Sequence, residues 1–89
     1  MVTAAPAPAV FDAGAAVTTL FPGQARLLLM HGDDVLGAWL FETGPRFQPV
    51  RSPPFELPPG NSTLWLRADA GPSNEVLDIW LERAALEAP

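Results

Sequence analysis

The chain has 89 residues and a mass of 9.5 kDa, with five arginines, no lysine, no cysteine, ten carboxylates, eleven prolines and a formal charge of −5. That length fits one domain, and surface scaling leaves only about 63% of the unfolded surface buried, a thin core that no disulfide reinforces. Arg26, Arg46, Arg51, Arg67 and Arg83 are spread singly, which argues against nucleic-acid and membrane-surface partners, since both attract clustered cations.

Residues 1–14 read as an extended Ala/Pro arm, because Pro6 and Pro8 disfavour a helix. Met1 to Val10 has no basic segment and reads as a poor signal peptide. The arm is expected to lie against its own domain or a neighbouring molecule, the neighbour being preferred, with Val10 and Phe11 as its apolar anchors. From Ala15 onward short apolar runs alternate with turn signals, the pattern of an all-β domain. Ala15 to Phe21 is the first expected strand, closed by Pro22-Gly23. Ala25 to His31 and Val35 to Glu42 form a hairpin about Gly32-Asp33-Asp34, where glycine supplies the positive φ of a tight turn. Phe47 to Arg51 is limited to a short or edge strand by Pro49, which donates nothing to a ladder. A brief Phe55-Glu56-Leu57 precedes Pro58-Pro59-Gly60-Asn61, the strongest turn signal in the chain. Ser62 to Ala68 and Glu75 to Arg83 are expected to pair with each other across the loop from Asp69 to Asn74.

The last segment also offers Leu77, Leu81, Ala84 and Ala88 at helical spacing behind Ser73. A strand through Arg83 is preferred, because Leu77, Ile79 and Leu81 alternate with Asp78 and Glu82. The organisation expected is an arm over residues 1–14, a small β-sandwich or jelly-roll-like barrel over 15–83, and a tail over 84–89.

Period two places Leu64, Leu66 and Ala68 on one face and Thr63, Trp65 and Arg67 on the other. In the last strand Leu77, Ile79 and Leu81 oppose Val76, Asp78, Trp80 and Glu82. The two tryptophans thus share faces with charge. They either pack across neighbouring strands with the indole N–H in water, form a protein contact, or offer a platform to a sugar. Trp39 is ambiguous, since both faces of its strand are apolar.

Catalytic chemistry has little to rest on. His31 is the one histidine and sits at a hairpin turn, where a surface role is the simplest reading. Ser52, Ser62 and Ser73 come with no pattern that supplies a base and an orienting group. Asp33, Asp34, Asp69 and Glu75 lack the alternating oxygen ligands of a calcium loop. With no lysine there is neither a phosphate-binding ammonium nor a Schiff-base nucleophile. No catalytic residue, cofactor or metal is expected, nor a small-molecule substrate.

Val17-Thr18-Thr19-Leu20 after an N-terminal arm is followed by Arg26-Leu27-Leu28-Leu29-Met30. After a spacer comes Phe55-Glu56-Leu57-Pro58-Pro59-Gly60-Asn61-Ser62-Thr63-Leu64-Trp65-Leu66-Arg67-Ala68, and the chain closes on Val76 to Glu82. In the order of these phrases the chain resembles small β-sandwich virion proteins of tailed bacteriophages. The likeness covers about three quarters of the chain; Gly32-Asp33-Asp34 stands where that group commonly has an Asn/Gly-rich turn. The resemblance implies a structural, non-enzymatic role of the head decoration (cement) type, on the outer capsid surface, with the major capsid protein as partner and a homo-dimer or trimer as the assembly. On that reading Val10 and Phe11 anchor the arm, while Trp65, Arg67 and Trp80 form a contact ringed by Asp78 and Glu82. Alternatives are a carbohydrate-binding or host-recognition module and a neck or tail joining subunit.

Overall fold

Alternating apolar residues and Gly/Pro punctuation build six strands and no helix among the residues that the computed structural model describes, 8–58 and 62–89. They are β1 (Val10–Thr19), β2 (Gln24–His31), β3 (Asp34–Glu42), β4 (Gln48–Arg51), β5 (Trp65–Asp69) and β6 (Val76–Glu87). They form two antiparallel three-stranded sheets, β4-β1-β6 and β3-β2-β5, packed as a sandwich. Contacts across the layers join β3 to β1 and β4, and β5 to β6.

The hairpin forms as its residues predict. Gly32, at φ 58°, and Asp33 make the turn, and His31 pairs with Asp34. It is the one connection that stays within a sheet; the other four cross between layers. The core is the facing surface of the two central strands: Phe11, Ala13, Ala15 and Val17 from β1 against Ala25, Leu27 and Leu29 from β2. Small alanines on β1 opposite leucines on β2 let the layers interdigitate. Phe41, Val50 and Phe55 close one side of this core. Trp39 packs against it from β3, with its ring lying over Gly37, where a Cβ would stand 2.8 Å from the ring edge.

Four expectations are corrected. The strand begins at Val10 rather than Ala15, so the boundary at residue 14 falls inside β1. Residues 1–7 of the expected arm lie outside the described residues, while Val10 and Phe11 are 2% and 8% exposed within the domain itself. Phe11 is tied to Ser52 from both sides: its N–H donates to Ser52 Oγ (2.9 Å) and its carbonyl accepts from Ser52 N–H (2.9 Å). Side chains buried in their own sandwich have no surface left to anchor a neighbour. The expected tail is also strand as far as Glu87, because β1 extends far enough back to pair with it, from Val10↔Glu87 onward.

Lastly, β5 and β6 do not pair with each other. β5 pairs with β2 and β6 with β1, and the segment between them crosses the layers. Asn74 fixes that crossing. Its Oδ1 accepts from Phe21 N–H (2.9 Å), its Nδ2 donates to the Phe21 carbonyl (2.8 Å), and Leu20 N–H reaches the Glu75 carbonyl (2.8 Å). One amide side chain thereby stands in for a strand partner between two loops.

Candidate functional surface

The most distinctive surface is the outward face of β3-β2-β5. Cross-strand register stacks three rows there: Leu40, Arg26 and Asp69; then Ala38, Leu28 and Arg67; then Val35, Met30 and Trp65. Six of these nine side chains are apolar, and the three polar ones gather at the end near β5. Leu40, Trp65 and Val35 are 66%, 61% and 54% exposed. An antiparallel sheet with one face in water normally alternates apolar-in with polar-out. This sheet is apolar on both faces, which is the pattern of a layer that is covered on both sides.

The outward face of β4-β1-β6 has the opposite chemistry. Asp12, Asp78, Glu82 and Glu87 lie on it with Arg51. Arg51 Nη1 is 2.8 Å from Asp12 Oδ2 and 3.5 Å from Glu87 Oε2, a surface network that links all three strands. Glu82 lies across Gly14, where a Cβ would meet the Glu82 side chain at 2.8 Å, so glycine makes room for the carboxylate stem. Trp80 sits on this face opposite Ala16, which is itself buried.

The sequence-expected contact is therefore divided. Trp65 and Arg67 belong to the apolar outer face, whereas Asp78, Trp80 and Glu82 belong to the charged one on the far side of the sandwich. They do not form one patch, because β5 and β6 belong to different layers and point their outer residues in opposite directions. What period two could not reveal from β5 and β6 alone was the contribution of Leu28, Met30, Val35, Ala38 and Leu40. The usable signal was the doubly apolar run from Leu27 to Met30.

β6 also departs from the expected face pattern. A register shift at Thr18/Thr19 leaves Leu77 bulged and 53% exposed, and turns Val76 inward beside Ile79. A second shift sets Arg83 and Ala84 opposite Ala13, with Arg83 at φ 53° as the bulge residue. Leu81 shares the face of Ala15 yet is 42% exposed. The inward residues Leu64, Leu66, Ala68, Val76 and Ile79 are likewise only half-buried. The sandwich is thus closed on its β3/β4 side and open on its β5/β6 side.

His31 is half-buried at the hairpin end, and Asp69 Oδ1 accepts from Gly71 N–H (2.9 Å) within its own turn. Among the described residues no group of three His, Cys, Asp or Glu side chains could hold a metal ion. A shallow depression of about 350 Å³ lies beside Glu42, Arg46, Phe47 and Pro49. Comparison with protein-family models, curated proteins and solved structures finds no match for this chain.

Proposed function

We propose that the protein is a non-enzymatic structural component of a phage virion. Its role is that of a decoration (cement) protein seated on the outer surface of the head, where it fastens major capsid protein subunits. The observation that carries the reading is the apolar outward face of β3-β2-β5, with Leu40, Trp65 and Val35 more than half exposed. Buried against a capsid surface, such side chains supply roughly 25 cal/mol per Å² of apolar area. Arg26, Arg67 and Asp69 at its border provide the polar rim that fixes orientation. The charged face opposite, with Asp78, Glu82 and Glu87, is suited to remain in solvent and matches the net charge of −5. The resemblance in phrase order to small virion β-sandwiches points the same way.

The thin core adds a physical reason for assembly, because a partner that binds only the folded state stabilises it by mass action. The test is the protein content of purified virions of the phage that encodes it. Hundreds of copies per particle are expected. About six or twelve copies would place it at the neck or tail instead, and absence from the particle would end the reading. Should it be absent, a glycan array probed with wild type and Trp65→Ala tests the carbohydrate alternative.

A further inference from the structure

Four strands border the two sheets: β4 and β6 in one, β3 and β5 in the other. A bare edge is a row of unpaired N–H and C=O groups that pairs with any strand presented to it. Folded proteins block such edges with proline, bulges or short length. β4 is four residues long and contains Pro49. β3 is interrupted by a register shift at Leu36, and β6 by two, at Leu77 and at Arg83-Ala84. β5 is also short, five residues, and carries Arg67 and Asp69, but it has neither a proline nor a register shift. Its register runs unbroken from Met30↔Trp65 to Arg26↔Asp69. It also borders the open side of the sandwich, where Leu64, Leu66 and Ala68 face inward but stay half-covered.

We propose that β5 pairs antiparallel with β5 of a second copy of this chain, about a two-fold axis at Leu66, joining two three-stranded sheets into one of six strands. The choice of occupant rests on self-complementarity. Directly opposed residues of an antiparallel pair share a face. An axis at Leu66 sets Leu66 against its own copy and Leu64 against Ala68 on the inner face, covering the three positions left half-open. On the outer face it sets Trp65 opposite Arg67, twice, as cation–π pairs. An axis at Arg67 would oppose two guanidinium groups. An axis at Ala68 would place Leu64 opposite Pro72, beyond the strand, and leave it uncovered.

Pairing also merges two apolar outer faces, with Trp65 near the seam. The proposal concerns the isolated protein, so it stands or falls separately from the virion reading.

Sedimentation equilibrium of the full 89-residue protein at micromolar concentration should give twice the chain mass of 9.5 kDa. Because the chain has no cysteine, single substitutions report the axis directly. Leu66→Cys should give a disulfide-linked dimer on mild oxidation, while Arg67→Cys and Ala68→Cys should not. Trp65→Ala, at an exposed position, should weaken the dimer about tenfold or more, with two pairs lost per dimer, and leave the circular dichroism spectrum intact. A monomeric mass throughout would overturn the proposal, and that result needs no substitution to fold. So would cross-linking through Ala68→Cys in place of Leu66→Cys, or a dimer indifferent to Trp65→Ala.

Discussion

The two outer faces of this sandwich are built from the same number of strands and carry opposite chemistry. On β3-β2-β5, Leu28, Met30, Val35, Ala38, Leu40 and Trp65 face outward. On β4-β1-β6, the outward residues include Asp12, Asp78, Glu82 and Glu87, gathered around Arg51. Folding alone explains neither choice, because the core between the layers is satisfied by residues of the inner faces. The contrast shows which side of the molecule can afford to stay wet. A charged face loses hydration if it is covered, while an apolar face gains by being covered. The molecule thus has a direction, with an apolar outer face on one side and a charged one on the other.

The largest expected effect lies between the faces, in the core they share. Phe11→Ala removes a ring that is 8% exposed and should cost about 3–5 kcal/mol. For so small a domain that is most of its stability, so thermal melting should find the variant largely unfolded. Deletion of residues 1–11 should do the same, whereas an arm independent of the domain would leave the melting temperature unchanged. Asn74→Ala comes next. It forfeits the paired bonds to Phe21 at 2.9 and 2.8 Å and should cost about 1–2 kcal/mol in urea unfolding. An unchanged midpoint would mean that the two loops are held by other contacts.

The outer faces should respond less. Leu40→Asp changes a side chain that is 66% exposed and should move stability by no more than about 0.5 kcal/mol. A larger loss in the isolated protein would show that the apolar face supports the fold itself. Arg51→Ala should have the smallest effect, under about 1 kcal/mol, because its ion pairs with Asp12 and Glu87 are surface pairs. That difference should shrink further in high salt.

Much of the fold was legible in the sequence for local reasons. Gly32-Asp33 between two apolar runs specifies the β2–β3 hairpin, and Pro49 confines β4 to an edge. Alternation around Trp65 and Arg67 assigns their face correctly. The errors have equally local causes. Gly14 reads as a boundary but lies mid-strand, where the Glu82 stem needs the space of a missing Cβ. Leu77 reads as core because alternation assumes an unbroken register, and the bulge beside it hands that place to Val76. Pairing β5 with β6 follows from their proximity in the chain. The actual partners are β2 and β1, a long-range choice that the Asn74 bonds stabilise and that no short pattern encodes.

The division of Trp65 from Trp80 also changes what each residue should do. Trp80 is 55% exposed on the charged face, on the opposite side of the sandwich from Trp65, so on the proposed reading it takes no part in capsid attachment. The most direct measurement is co-sedimentation with phage heads that lack the protein, comparing Leu40→Asp with Trp80→Ala. The account predicts that Leu40→Asp stays in the supernatant while Trp80→Ala pellets at wild-type occupancy. Binding by Leu40→Asp together with loss of binding by Trp80→Ala would contradict it.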